Sequence, residues 1–172
     1  RALARLVPRL AREGPDALDD YGCDAAVLAG RLHKAVCREI HRMHAFVRFE
    51  AQVDGTWAAR VAPAHDVLPF IGAHFARRYP QMRWTIYDTL RGYAIACAPA
   101  EPGAPGSAGA RGEVRTLVGA APPAAQAPHE AEQQRRWRAY LEAVNIPARA
   151  NPRLQRQHVP LRYRPLLSEF RR

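Results

Sequence analysis

The sequence contains one lysine, three cysteines and no long apolar segment, and each shortage excludes a class of protein. Lys34 is the single lysine, so arginine supplies the rest of the basic charge. Cys23, Cys37 and Cys97 form no C-x-x-C pair, which disfavours a disulfide framework, a zinc ribbon and a self-contained iron–sulfur site. No apolar run approaches the roughly 18 to 20 residues of a membrane helix, and no signal-peptide pattern is present. We therefore expect a cytoplasmic protein with no metal, no cofactor and no membrane partner.

Arginine dominates the charge of the chain. Lysine and arginine total 26 against 16 acidic residues, which gives a net charge of +10. Residues 135–172 hold ten arginines but only Glu142 and Glu169 as acids, so this stretch carries most of the excess. A guanidinium group forms a planar fork that fits phosphate, and it stacks on bases. Codon usage in a GC-rich genome produces the same composition, so composition alone leaves both explanations open.

Hydrophobic periodicity predicts an α+β fold. Apolar residues at helical spacing indicate helices over residues 1–12 (interrupted or kinked at Pro8), 24–43, 66–78, 129–145 and 152–158. Alternating residues and turn signals predict two hairpins, 46–53 with 56–62 and 83–88 with 93–97, and allow a short strand over 113–118. In the first hairpin Asp54 and Gly55 suit a two-residue turn in which both residues have positive φ. We expect a mostly antiparallel sheet of two hairpins packed against helices.

Four regions are expected along the chain. Residues 1–22 look like the tail of an upstream helical region, because the sequence begins at Arg1 rather than Met and we expect a piece of a longer protein. Residues 23–97 form the α+β core, and residues 98–128 a flexible loop rich in Pro, Gly and Ala. Residues 129–172 form a basic helical part that packs on the core. The side chains expected to face inward from its first helix are Trp137, Tyr140, Leu141 and Val144.

Polar residues at the junction of the second helix and the first strand form one candidate site. Arg42 and Arg48 suit bidentate phosphate binding, and Glu39 with His41 is a weak candidate for acid–base catalysis. A salt-bridge network that fixes the junction explains the same residues. His41 and His44 lie three residues apart, but no further ligand stands at metal-site spacing.

The remaining candidates lie in a hairpin turn and in the C-terminal segment. Arg91 either closes the turn with Asp88 or joins Arg78 in clamping a nucleic-acid backbone. Arginines with interleaved aromatic residues in the C-terminal segment suit single-stranded nucleic acid, although Tyr163 could instead pack on the sheet. The candidate nucleic-acid-binding residues are Arg38, Arg42, Arg48, Arg78, Arg91, Arg149, Asn151, Arg153, Gln155, Arg162 and Tyr163.

Three sequence blocks carry a family resemblance. They are HRMHAFVRF at residues 41–49, HDVLPFIGAHFARRYPQMRWTIYD at 65–88, and YLEAVNIPARANPRLQRQHVPLRYRPLLSE at 140–169. The chain resembles a bacterial domain of unknown function described as a "probable DNA metabolism protein". Members of that family occur fused ahead of a uracil-DNA glycosylase-like domain, or stand alone as partners of a radical-SAM protein assigned to DNA repair.

The resemblance implies a DNA-repair context, with DNA and either of these enzymes as partners. The loop and H-P-S motifs of the glycosylases themselves are missing, so any glycosylase chemistry is expected elsewhere in a parent protein. Three hypotheses follow: a DNA-binding accessory domain, a module that docks the glycosylase-like or radical-SAM enzyme, and an enzyme that acts on DNA through Glu39 and His41.

Overall fold

A computed structural model describes residues 2–99, 112–119 and 125–170. The chain forms two compact units, Arg1–Arg42 and Met43–Arg172. The expected boundary between residues 22 and 23 thus falls inside the first unit. Of the expected flexible loop, residues 100–111 and 120–124 lie outside the described part.

The first unit is helical. It contains α1 (Ala2–Glu13), a 3₁₀ turn (Gly14–Leu18) and most of α2 (Asp24–Phe46), whose last residues belong to the second unit. The expected interruption at Pro8 is wrong, because α1 continues through it. Arg9 holds the unit together from the side of α1, since it contacts Glu13 at 2.8 Å and Asp20 at 2.7 Å.

The second unit is built on one five-stranded sheet. Its elements are β1 (Glu50–Ala51), β2 (Trp57–Val61), α3 (Leu68–Arg78), β3 (Trp84–Asp88), β4 (Tyr93–Cys97), β5 (Val114–Val118), α4 (Glu130–Val144) and α5 (Pro152–His158). Short 3₁₀ segments cover Pro147–Arg149, Leu161–Leu166 and Ser168–Phe170. The strand order is β1-β2-β3-β4-β5.

The sheet is mostly antiparallel, as predicted. Strands β1 and β2, β3 and β4, and β4 and β5 pair antiparallel, and the strand allowed at residues 113–118 is present as β5. The exception is the pair β2 and β3, which is parallel. A parallel pair needs a crossover connection, and α3 supplies it.

Helix α3 buries the face that its periodicity predicts. Leu68 and Ile71 are fully buried, and Phe75 is only 3% exposed. The glycine between them allows the helix to approach the sheet, because a Cβ on Gly72 would lie 2.8 Å from the nearest methyl of Val114. A larger side chain at residue 72 would therefore force the helix and the sheet apart.

The first hairpin differs from the prediction at both ends. Helix α2 continues to Phe46 and β1 is only two residues long, so the strand expected over residues 46–53 is mostly wrong. The turn contains three residues rather than two. The backbone N–H of Gln52 donates to the Thr56 carbonyl at 2.9 Å, and the backbone N–H of Gly55 donates to the Gln52 carbonyl at 3.1 Å. Of the three turn residues, only Gly55 has a positive φ, of 78°. This is the three-residue hairpin loop that ends in a left-handed glycine.

Helix α4 also differs from the prediction, in the face that it buries. Trp137 is 40% exposed, Tyr140 56% and Val144 51%. These residues do not form an inward apolar stripe. The buried residue of this helix is Glu130, at its N-terminus. Further along the chain, Tyr163 and Leu167 are each 1% exposed, so the C-terminal segment contributes an aromatic and an aliphatic side chain to the core.

A substitution at Gly72 tests the close approach of α3 to the sheet. We expect Gly72→Val to lower the free energy of unfolding by about 2 kcal/mol or more, because the added methyls overlap Val114 and Ile95. Gly30→Val is the control, since nothing lies within 4 Å of a Cβ on this exposed helical glycine. It should change stability by less than about 0.5 kcal/mol. Urea unfolding measures both, and equal effects would contradict the packing described.

Candidate functional site

A cleft of about 550 Å³ lies in the second unit, between the start of the sheet, the end of α3 and the first turns of α4. Its volume lies within the roughly 300 to 1,000 Å³ of small-ligand sites. Four aromatic side chains line it, namely Phe49, Trp57, Tyr79 and Trp137. The polar groups beside them include two glutamates and two glutamines, namely Glu50, Glu130, Gln133 and Gln134.

The aromatic wall is fixed from behind. Phe49 makes edge contacts with Phe75 and Tyr79, at centroid distances of 5.6 and 5.4 Å, and a tilted contact with the buried Trp84 at 5.9 Å. Such ring pairs add about 0.5–1.5 kcal/mol each beyond the burial of their area. Phe49 and Tyr79 are therefore held in position by the core whether or not the cleft is occupied.

Glu130 is the most buried polar group of the cleft. It is 4% exposed and lies at the first residue of α4. Its Oε2 accepts a hydrogen bond from the Ala51 amide at 2.8 Å, and its Oε1 accepts one from Gln134 Nε2 at 2.9 Å. Glu50 is 6% exposed, and its Oε2 accepts from Gln126 at 2.7 Å. The polar side of the cleft is thus rich in carboxylate and amide groups.

One face of α4 supplies most of these groups, and sequence reasoning missed it. Glu130, Gln133, Gln134 and Trp137 follow one another at spacings of three, one and three residues, which places them on one side of a helix. That pattern of two amides, a carboxylate and an indole was visible in the sequence. The prediction of an apolar stripe through Trp137, Tyr140 and Val144 places the indole in the core and so hides this pattern.

Arg48 forms an ion pair with Glu169, which is distant in the sequence. Its Nη2 donates to Glu169 Oε1 at 2.8 Å and its Nε to Oε2 at 3.3 Å, while Nη1 donates to the Ala45 carbonyl at 2.6 Å. Burial alone would raise the pKa of Glu169, but the hydrogen bonds and charge of Arg48, together with hydrogen bonds from the Glu169 backbone amide and Ser168, lower it overall. The phosphate role predicted for Arg48 would require these bonds to open.

Arg91 closes the β3–β4 turn, which was one of its two predicted roles. Its Nη1 contacts Asp88 Oδ2 at 2.7 Å and the Pro63 carbonyl at 3.0 Å, and its Nη2 donates to the Ala64 carbonyl at 2.8 Å. Asp88 is fully buried and its other oxygen accepts the Leu90 and Arg91 amides. By contrast, Arg78 is exposed in the last turn of α3 and pairs with no carboxylate in the described part of the chain.

The C-terminal candidates separate into exposed and buried groups. Arg149, Arg153 and Gln155 are exposed. Asn151 caps α5 as expected, since its side chain accepts the Leu154 amide at 2.9 Å. The predicted stacking residue Tyr163 lies in the core, where its ring meets Phe46 at 5.4 Å. Arg162 is exposed, and its guanidinium lies 4.5 Å from the centre of the same ring.

The candidates of the first unit lie on α2. Arg38 and His41 are exposed and Arg42 is half-buried. Glu39 is 2% exposed, so in this structure solvent does not reach the carboxylate that the acid–base hypothesis requires. In the second unit His44 stacks on His74 at 4.0 Å. Burial and the charges of Arg77 and Arg78 lower the pKa of His74. Among the described residues, no group of three or more His, Cys, Asp or Glu side chains could hold a metal ion.

Comparison with known proteins gives one match. A family model described as a domain of unknown function, DUF4130, matches residues 1–169. No curated protein and no solved structure matches the chain. Within the residues that the structure describes, none of the helices combines the length and apolar character needed to span a membrane.

The Arg48–Glu169 pair generates a pH-dependent prediction. We expect Glu169→Gln to lower the free energy of unfolding at pH 7 by about 1–2 kcal/mol, because a neutral amide replaces the charged acceptor of Arg48. A carboxylate with a lowered pKa stabilises the fold above its unfolded-state pKa, and this contribution is lost as the pH falls below about 4. The deficit of the variant should therefore shrink between pH 7 and pH 3.

Urea unfolding of the wild type and the variant at both pH values measures this deficit. Glu142→Gln is the control, because Glu142 is exposed on α4 and has no partner in the described part of the chain. It should change little at either pH. A deficit for Glu169→Gln that is as large at pH 3 as at pH 7 would show that the ion pair does not supply it.

Proposed function

We propose a DNA-binding function for this chain, which belongs to the domain-of-unknown-function family DUF4130. The Met43–Arg172 unit binds the DNA backbone as an accessory domain of a repair system of the uracil-DNA glycosylase type. One observation carries the proposal: between Glu142 and Glu169 the chain has five arginines and no acidic residue. A segment of that composition cannot neutralise its own charge, which favours binding to anionic partners.

The exposure of this segment supports the proposal. From residue 145 to residue 158 every described side chain is exposed, and Arg149 and Arg153 pair with no carboxylate in that part of the structure. The arginines of α4 differ, because Arg135 and Arg136 both contact Glu132. Arg149 and Arg153 therefore have the whole fork of donors available for phosphate, whereas Arg135 and Arg136 share part of theirs with Glu132.

The difference between paired and unpaired arginines can be measured through the salt dependence of DNA binding. Each phosphate that an arginine neutralises releases condensed counterions, so affinity falls linearly with salt on logarithmic axes. A contact to phosphate adds about one unit to that slope. The repair context, and the glycosylase-like or radical-SAM partner, are supported by the resemblance of the three sequence blocks.

A paired substitution tests whether the unpaired arginines contact DNA. We expect Arg149→Gln with Arg153→Gln to weaken DNA binding about tenfold or more at low salt and to reduce the salt slope by about two. Fluorescence anisotropy with labelled single- and double-stranded oligonucleotides at two or more salt concentrations measures both quantities. The two substrates also decide which form of DNA is preferred.

The matched control is Arg135→Gln with Arg136→Gln, which removes the same charge from arginines already held by Glu132. It should change affinity by no more than about threefold, because only long-range attraction is lost. Equal losses in the two double variants would show that net charge alone acts. No binding by the wild type at low salt would remove the DNA-binding proposal altogether.

A second function, docking of a partner protein, is favoured by a different observation. Large apolar side chains remain exposed along α4 and the segment after it, namely Trp137, Tyr140, Val144, Ile146, Leu154 and Leu161. Exposed apolar residues in such number along one segment are typical of interaction sites. The partner expected is the glycosylase-like or radical-SAM enzyme implied by the resemblance.

Docking and DNA binding are distinguished by nuclease and by salt. A pull-down with either enzyme that survives nuclease treatment supports docking, and Val144→Ser with Ile146→Ser should then abolish it. The same variant should leave the salt slope of DNA binding unchanged, because it removes no charge. Loss of the pull-down on nuclease treatment would mean that DNA bridges the two proteins.

A further inference from the structure

We propose that the aromatic cleft binds one unstacked nucleobase that carries an exocyclic amino group. The inference rests on the proposed DNA-binding function and assigns a ligand to the cleft, which the arginine argument does not use. The observation behind it is the pairing of an aromatic wall with a row of hydrogen-bond acceptors in one cleft of about 550 Å³.

The aromatic wall offers flat faces to a planar ligand. Phe49, Trp57, Tyr79 and Trp137 all line the cleft. Every nucleobase has a π-face, and stacking on an aromatic side chain contributes to binding irrespective of sequence. Because Phe49 and Tyr79 are braced by the core aromatics, a base would meet rings that are already ordered. Less ordering entropy is then lost on binding.

The hydrogen-bonding side of the cleft selects among bases. Gln134 donates one of its two Nε2 protons to Glu130, and its Oε1 remains available to accept a proton from a ligand. Each oxygen of Glu130 already receives one donor and retains a lone pair. Carboxylate and amide oxygens accept from the exocyclic amino group of cytosine or adenine. The O4 of uracil or thymine has no proton to donate, so it gains no hydrogen bond from either carboxylate.

Arg48, the one cation among the described residues that line the cleft, does not reverse this preference. Arg48 directs its donors to Glu169 and to the Ala45 and Val47 carbonyls. The glutamates of the cleft therefore keep their accepting character.

A free organic cation would also suit aromatic rings beside a carboxylate. The charge of the unit argues against it. Residues 43–172 contain 18 arginines and 10 acidic residues, so the unit repels small cations and attracts polyanions. A base arrives on a phosphate backbone and is drawn in by that charge, whereas an amine is not.

Three labelled 12-nucleotide probes separate base binding from backbone binding. The first is wholly abasic, built from tetrahydrofuran units; the second carries one central cytosine, and the third one central uracil. All three present the same number of phosphates. We expect the cytosine probe to bind about fivefold or more tighter than the abasic probe in anisotropy titrations at low salt. The uracil probe should gain less than the cytosine probe.

Two variants assign that gain to the cleft. Trp137→Ala should reduce the affinity for the cytosine probe to that for the abasic probe and leave the abasic probe unaffected. An unchanged urea unfolding midpoint shows that the variant is folded. Tyr140→Ala is the matched control, because Tyr140 stacks on Trp137 at 5.7 Å but does not line the cleft. It should leave the gain from cytosine largely intact.

Failure of this inference differs from failure of the proposed function. Equal binding of all three probes would overturn the nucleobase site while leaving backbone binding in place, and so would an equal loss for all probes in Trp137→Ala. A uracil probe that binds as tightly as the cytosine probe would overturn the amino-group preference. No binding of any probe would overturn the DNA-binding function, and the nucleobase site with it.

Discussion

The hydrogen bond from the Ala51 amide to Glu130 is the contact on which the architecture of the cleft depends. It joins the start of α4 to the first strand across 79 residues of sequence. Burying a carboxylate is costly unless its oxygens are satisfied. Here the strand amide and Gln134 satisfy them, and the N-terminus of α4 is where a helix best tolerates negative charge. Neighbouring backbone bonds, such as the Ala127 amide to the Ala51 carbonyl at 2.7 Å, hold the same edge.

The arginine content acquires a meaning only when the partners of each arginine are known. Codon bias would scatter arginines without regard to their surroundings. Arg48 and Arg91 instead occupy sites where several donors of one guanidinium are used at once, which a lysine could not reproduce. Among the residues that the structure describes, Arg149 and Arg153 have no such site, and they lie in a segment without acids. Structural demand thus explains one group of arginines, and the remaining exposed group is the one that needs a functional explanation.

Local features of the fold were predictable from the sequence, and distant ones were not. The inner face of α3, the β3–β4 hairpin, the cap at Asn151 and the Asp88–Arg91 turn each depend on residues within a few positions of one another. The contacts from Arg48 to Glu169 and from Ala51 to Glu130 span 121 and 79 residues, and periodicity carries no information about them. The same limit applies to β1, because its two residues are defined by pairing with β2 and by the segment before α4 rather than by alternation.

The error on α4 has a physical cause that bears on function. Assigning Trp137 and Tyr140 to the core assumes that aromatic side chains are placed where water is excluded. An indole exposed by 40% beside a cleft gives up part of that hydrophobic stabilisation, although its ring stacks on Tyr140. A ligand that stacks on the ring would recover this stabilisation on binding. Backbone contacts by unpaired arginines add affinity without regard to sequence, so under the proposed function the aromatic cleft is the part of the unit that would distinguish one base from another.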